Sequence, residues 1–164
     1  MEIKYDQNNM PKIGGWLYLI AVSLFFSFLG SILACVNDLN IYFTTDTDIL
    51  KIENITLFKN LFLVKIFLLV IIGTLSLCCI TEFLKKKIVF KKHYLILVFL
   101  SLIHRIYMLW FLHIFILIAG LSEGIAGILG ALTYLIIIYF YFKKSTRVQK
   151  TFIYRWLFFV WLVL

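Results

Sequence analysis

The sequence predicts an all-α membrane protein, a four-transmembrane-helix bundle with both termini in the cytoplasm (N-in/C-in). Of the 164 residues, 63% are hydrophobic and 15% are charged, whereas a soluble domain is about 45–50% apolar and about 25% charged. A chain of this length has too little interior to hide so much apolar surface from water. Lipid is therefore the expected solvent for most of the chain.

Four apolar runs have the length that a bilayer requires, which is about 20 residues in helical form. The predicted helices are about 14–36, 61–84, 94–119 and 125–142. The first and the fourth of these runs carry no charged residue. Together they define a membrane domain, 14–150, with an outer loop at 37–60 and an inner basic loop at 85–93.

The charges beside these runs predict the orientation. The loop at 85–93 holds five lysines, and the residues after the fourth run include Lys143, Lys144, Arg147 and Lys150. The loop at 37–60 holds four carboxylates, Asp38 among them, against two lysines. Short loops rich in lysine and arginine stay cytoplasmic. The segment 1–13 is then cytoplasmic, the acidic loop is outside and solvated, and the net charge of +8 does not indicate a nucleic-acid partner.

The two ends of the chain allow alternatives. A cleaved lipoprotein signal ending at Cys35 would explain the first run, but the apolar core of a signal is about 7–15 residues long. An uncleaved first helix is therefore favoured. The apolar tail, 151–164, is too short to span, and we expect it to lie in the membrane interface. A truncated fifth helix is the alternative for this tail.

The histidines and cysteines do not form a pattern typical of a metal site or an enzyme. His104 and His113 lie nine positions apart, which places them on opposite faces of one helix. His93 lies at the cytoplasmic boundary, where we expect it to be solvated. Cys35 is separated by much of the bilayer from Cys78 and Cys79, so a disulfide between them is not expected. No catalytic or metal-binding motif occurs, and neither an enzyme activity nor a cofactor is expected.

Arg105 is the most unusual residue, because it falls near the middle of the third run. A charge there costs from about 3 to over 10 kcal/mol, and such residues normally have partners. The polar residues expected at a similar depth define a candidate intramembrane polar site: Arg105, His104, Ser27, Thr74, Thr133 and Tyr134. A structural arginine, a functional anion site and a position at the interface remain alternative interpretations.

Small residues and interface anchors form two further sets. Small residues four apart let helices approach closely in lipid, and the predicted helix-packing set is Gly120, Gly124, Gly127, Gly130 and Ala131. Glycines, a tryptophan and cations beside the runs are typical of anchors at the membrane boundary. The predicted anchors are Gly14, Gly15, Trp16, Arg147 and Lys150.

Two motifs support a family resemblance. IGGWL at 13–17 opens the first run, and STRVQKTF at 145–152 follows the last. With four spans and a basic central loop, the chain resembles the bacterial membrane proteins grouped as domain-of-unknown-function family 2569, over roughly 13–152. The resemblance implies a small multi-pass protein of the bacterial inner membrane, and the family brings no established activity.

The function expected from these observations is that of a non-catalytic, multi-pass inner-membrane protein, an envelope accessory or interaction protein. Its expected partners are the lipid bilayer, anionic lipids at the basic loops, and either a second copy of the chain or another membrane protein. The alternative is a small oligomeric channel or transporter in which Arg105 lines a polar path. A membrane enzyme ranks last.

Overall fold

The computed structural model describes residues 15–44, 55–115 and 121–152. The helices are α1 (Trp16–Thr44), α2 (Ile55–Leu84), α3 (Phe90–Phe115), α4 (Leu121–Lys144) and α5 (Thr146–Thr151). The first four are long and apolar enough to cross a membrane, and the described residues contain no β-strand. The prediction of an all-α protein with four transmembrane helices is confirmed.

The long helices extend further than the hydropathy of the sequence indicates. α1 continues eight residues past the predicted end at position 36, and α2 begins six residues before position 61. α3 and α4 each begin four residues early, at Phe90 and Leu121. Much of the predicted outer loop, 37–60, is therefore helical. Polar residues there are accommodated because α1 and α2 pack together over this length and pair their charged side chains.

Each long helix packs against the next one in the chain. The extensive contacts join α1 to α2, α2 to α3, and α3 to α4. α1 and α4 instead face each other across a cleft, which is described below. The resulting bundle is closed on three sides and incomplete on the fourth.

One end of the bundle, called the proximal end here, is filled by aromatic side chains. Phe83, Phe90, Phe142 and Phe152 are all buried there, and they belong to one cluster with Leu17 of α1. The rings of Phe90 and Phe152 stack with their centroids 4.8 Å apart. The start of α1 and the residues after α4 therefore meet at the same end, as an even number of spans requires. The opposite end is called the distal end.

The short helix α5 closes the proximal end because its sequence is amphipathic. The Ser145 side chain accepts a hydrogen bond from the Val148 backbone N–H at 3.3 Å and so caps the helix. The Gln149 side-chain amide donates to the Lys143 carbonyl at 2.9 Å. Val148 and Phe152, four residues apart, are both 0% exposed. The segment STRVQKTF therefore packs against the proximal end of the bundle and contributes Val148 and Phe152 to its core.

The α2–α3 turn is also tied together at the proximal end. The Lys87 backbone N–H donates to the Glu82 carbonyl at 2.9 Å, and Lys86 adopts a positive φ of 51°. His93 Nδ1 lies 2.8 and 2.9 Å from the two carboxylate oxygens of Glu82, which is buried. A carboxylate accepts only, so Nδ1 is the donor. The expectation of a solvated His93 was wrong, because the ring pairs with Glu82.

We predict that Phe152→Ala destabilises the fold. Truncating a fully buried phenylalanine leaves a cavity and costs about 3–5 kcal/mol. The rings of Phe83 and Phe90, which contact Phe152, would lose their packing. Thermal unfolding of the detergent-purified protein should therefore shift to a clearly lower midpoint.

Phe140→Ala is the matched control, since Phe140 is 50% exposed on α4. It removes the same ring from a surface outside the cluster, and its midpoint should stay close to that of the unmodified chain. Equal unfolding midpoints for the two variants would contradict the core-packing role assigned to Phe152.

Candidate intramembrane polar site

A cleft lies between α1, α3 and α4, with α2 at its base, and is called the central cleft here. It consists of two overlapping cavities of about 460 and about 440 Å³. Both cavities are lined by Ser27, Ser101, Arg105 and Gly127. The cleft therefore combines a cation and hydroxyl groups with walls that are otherwise mostly apolar.

α1 contributes a row of serines to the cleft. Ser23, Ser27 and Ser31 are four residues apart, so they share one helical face. Ser27 Oγ lies 3.2 Å from Ser76 Oγ of α2, and Ser31 Oγ donates to the Phe28 carbonyl of its own helix at 2.8 Å. The Ser27–Ser76 contact thereby links α1 to α2, and the Ser31 hydroxyl is satisfied within its own helix.

Tyr94 joins three helices at the proximal floor of the cleft. Its hydroxyl lies 3.0 Å from Ser23 Oγ of α1 and 2.6 Å from the Tyr134 hydroxyl of α4. Tyr94 is 2% exposed. Tyr134, which the sequence placed with Arg105, lines the same cavity but is hydrogen-bonded to Tyr94.

Arg105 lies on the wall of both cavities. Its side chain is exposed, and among the described residues it has no hydrogen-bond or ion-pair partner. A Cβ added to Gly127 of α4 would lie 3.2 Å from its Nη1 atom. Gly127 thus gives the guanidinium the space it occupies.

His104 adjoins Arg105 and lines the larger cavity. Its Nε2 atom is buried and has no hydrogen-bond partner within the described part of the chain. A second group of charged side chains lies on the distal side of the cleft.

That second group is an ion pair between α1 and α2. Lys65 Nζ lies 2.7 Å from Asp38 Oδ1, and the two side chains are 13% and 4% exposed. Lys65 Nζ also lies 4.9 Å from the centroid of the Phe62 ring. The prediction that Asp38 is a solvated loop residue was wrong, because α1 continues past it and buries it against Lys65.

The pairing leaves one cation without compensation. Asp38 balances Lys65, and Glu82 is engaged by His93. Away from the helix ends, Arg105 is then the charged side chain of the described spans that has no counter-ion. Arg105 therefore lacks an acidic partner among the described residues, although Asp38 lies within a span rather than in a loop.

Two residues of the predicted polar site lie elsewhere. Thr74 and Thr133 are exposed, and each hydroxyl donates to a carbonyl of its own helix, Val70 at 2.7 Å and Leu129 at 2.8 Å. Neither lines the central cleft. Ser27, His104 and Tyr134 do line it together with Arg105.

The predicted packing residues of α4 differ in what they contact. A Cβ at Gly124 would lie 2.5 Å from Leu109 Cδ1, so α4 approaches α3 closely there. A Cβ at Gly130 would have nothing within 4 Å, and both Gly130 and Ala131 line the cleft. Gly120 lies outside the described residues.

The predicted anchors are placed only in part. Gly15 has a φ of 60°, a conformation that glycine adopts without strain, and Trp16 is 66% exposed. Arg147 and Lys150 belong to α5 at the proximal end. Gly14 and the tail from 153 onwards lie outside the described residues.

Sequence reasoning missed several polar residues around Arg105. They are Ser23, Ser31, Asp38, Lys65, Ser76 and Tyr94. The four-residue spacing of the serines in α1 could have indicated the row, because it repeats on one helical face. No signal in the sequence pairs Asp38 with Lys65, 27 positions away.

The arrangement can bind an anion. The described residues contain no group of three side chains that could hold a metal ion. Cys35, Cys78 and Cys79 are free thiols. The guanidinium of Arg105 presents N–H donors to a cleft with largely apolar walls, where a charge-assisted hydrogen bond to an anion is strong.

A family model described as "Protein of unknown function (DUF2569)" matches residues 10–153. The chain belongs to this family. The match confirms the resemblance inferred from the two motifs, and it extends over both segments that meet at the proximal end of this DUF2569 protein. Comparison with curated proteins gives no match, and comparison with solved structures gives none either.

We predict that the ion pair of this DUF2569 protein behaves as a unit. Asp38→Asn leaves the Lys65 ammonium buried without a counter-ion, which costs about 3–5 kcal/mol when a buried pair is broken. The double variant Asp38→Leu with Lys65→Leu removes both charges and should be close to neutral, because the desolvation of two ions is also removed. The free energy of unfolding of the variants measures both effects.

The comparison needs Asp38→Leu alone and Lys65→Leu alone to complete the thermodynamic cycle. The two single variants should each be less stable than the double variant. Additive losses, with the double variant as the least stable of the three, would show that the two side chains are not coupled.

Proposed function

We propose that this protein is a non-catalytic interaction protein of the bacterial inner membrane that receives a partner laterally in the central cleft. The observation that carries the proposal is the incomplete side of the bundle. Beyond the proximal cluster, α4 packs on α3 while the polar cleft separates it from α1, and we infer that this open side faces the lipid. A protein that functioned alone in lipid would gain by closing such a cleft around its cation.

The non-catalytic part of the proposal is supported by how the polar groups are used. The hydroxyls of Ser27 and Tyr94 join neighbouring helices, and that of Ser31 donates to a carbonyl of its own helix. The ion pair Asp38–Lys65 and the hydrogen-bonded pair Glu82–His93 link neighbouring helices. These contacts favour structural roles over a nucleophile and base arranged around a substrate.

The alternative, a small channel or transporter lined by Arg105, has less support. At the proximal end the buried rings of Phe90, Phe142 and Phe152 fill the bundle below Tyr94. Within the described residues, a polar path from the cleft to that end would have to pass through this cluster. A lateral binding site requires no such path.

The basic segments support an orientation with both ends of the domain in the cytoplasm. Lys143 and Lys144 are exposed at the proximal end, which also carries the lysines of the α2–α3 turn. Cations in short loops favour the cytoplasmic side. Each surface cation near anionic lipid contributes about 1 kcal/mol, so we infer that the proximal end also contacts anionic headgroups.

A photo-crosslinking amino acid placed at Ala131 should trap the partner. Ala131 lines the cleft on α4, so a bound membrane protein would lie within reach of the probe. Irradiation of native membranes, followed by denaturing gel electrophoresis, should give an adduct of discrete mass. When a second copy of the chain with a different tag is co-expressed, the presence of that tag in the adduct distinguishes a homo-oligomer from a complex with another protein.

The same probe at Phe140 is the control, because Phe140 is exposed on α4 but does not line the cleft. No discrete adduct is expected there. If the probe gives no adduct at either position, the proposal is contradicted. Anion flux through vesicles that Arg105→Leu abolishes would favour the channel in its place.

The orientation is tested by thiol labelling of intact cells. A cysteine introduced at Asp46 should react with a membrane-impermeant maleimide, and one at Lys86 should react only after permeabilisation. The native cysteines lie within α1 and α2 and provide the background. The opposite pattern of labelling would reverse the orientation.

A further inference from the structure

We propose that Arg105 is the docking site for a carboxylate carried at mid-membrane depth by a transmembrane helix of another protein. The helix approaches between α1 and α4 and places its acidic side chain in the central cleft. This inference rests on the proposed function, since it names the chemistry of the partner.

The charge balance of the spans is the first step. Asp38 and Lys65 neutralise each other at 2.7 Å, and the Glu82 carboxylate is held by His93. Arg105 remains as a cation that lines both cavities and has no partner among the described residues. Charged side chains within a membrane are normally paired, so the missing element of this site is an anion.

Depth selects the source of that anion. Arg105 lies 15 residues after the start of α3 and 10 before Phe115, which is about 22 Å and about 15 Å along the helix axis. Lipid phosphates lie at the headgroup level, further away than an arginine side chain reaches. A carboxylate on a transmembrane helix is held at a fixed depth by its own backbone. The mostly apolar walls of the cleft also suit a helix better than a hydrated free anion.

A second copy of the chain does not supply this group from its membrane-spanning interior. In the described parts of α1 to α3, the carboxylates are Asp38 and Glu82, and both are buried and engaged. Glu123 lies at the distal end, in the first turn of α4. The occupant is therefore a helix of a different chain that carries an aspartate or a glutamate.

The wall of α4 fits this occupant. A Cβ at Gly130 would have no atom within 4 Å, so the cleft has free space at that level. A Cβ at Gly127 would lie 3.2 Å from Nη1 of Arg105, so a side chain at this position would crowd the guanidinium. A guanidinium can bind a carboxylate through two parallel hydrogen bonds. Small residues also let a second helix approach α4 closely.

The test uses the full chain in phosphatidylcholine vesicles and a synthetic leucine–alanine transmembrane peptide of about 20 residues. One peptide carries a central glutamate, and its match carries glutamine at the same position. Energy transfer between labelled protein and labelled peptide, at mildly alkaline pH, measures association. We expect the glutamate peptide to associate at least about tenfold more tightly, because a buried charge pair is formed.

Two variants of the site and one control define the result. Arg105→Gln should abolish the preference for glutamate. Gly127→Leu, which keeps the charge but fills the space beside Nη1, should abolish it as well. Lys92→Gln removes an exposed cation outside the cleft and should leave the preference unchanged. Gel filtration and the unfolding midpoint establish that each variant is folded.

Several outcomes would overturn the inference. These are equal association of the two peptides, and a glutamate preference that survives in Arg105→Gln. Displacement of the peptide by inorganic phosphate or by added phosphatidylglycerol would identify a soluble anion or a lipid as the ligand. A preference seen only in Glu123→Gln would show that Glu123 is the counter-ion of Arg105.

The peptide experiment tests the carboxylate site separately from the crosslinking experiment that tests the proposed function. The crosslink at Ala131 depends on proximity and not on charge. An adduct there, together with equal binding of the two peptides, would leave the lateral partner in place and remove the carboxylate. Selective binding of the glutamate peptide without an adduct in native membranes would support the carboxylate site and contradict a resident lateral partner.

Discussion

Charged side chains in the hydrocarbon region are normally paired, and the register of the helices follows from the pairs that form here. The Asp38–Lys65 ion pair fixes α1 against α2 in the distal half of the bundle. Glu82 and His93 fix α2 against α3 at the proximal end. Because an unpaired buried charge is more costly than a lost apolar contact, a sliding of either helix pair by one turn would be strongly unfavourable. The apolar contacts then fill the space that these pairs define.

The number of membrane-spanning helices could be predicted from the sequence, but the residues at which they begin and end could not. Hydropathy identifies an apolar span because lipid selects composition along the whole run. It fails at Asn37–Thr44, where polar residues continue α1 beyond the apolar run. Within this extension, Asp38 pairs with Lys65 of α2, a tertiary partner that no local pattern contains. The same reason explains why Asp38 was assigned to a solvated loop.

The candidate site shows a similar division. Arg105 could be found from the sequence because a lone charge in an apolar run is conspicuous. Depth alone also selected Thr74 and Thr133, which face away from the cleft and bond to their own helices. Residues that do line the cleft, such as Tyr94 and Ser23, can be identified only when the rotation of each helix about its own axis is known. That rotation is set by packing between helices and is only weakly encoded in a nearly uniform apolar sequence.

The small residues of α4 serve two different purposes, and the difference bears on the open side of the bundle. Gly124 allows close contact with Leu109 of α3, which is the usual role of a small residue between membrane helices. Gly127 faces the guanidinium of Arg105, and Gly130 faces free space. A row of small residues that only joined α4 to α3 would be in contact along its whole length. The vacant half of the row instead lies beside the uncompensated cation, so the space and the charge that a carboxylate-bearing helix requires occur at the same place.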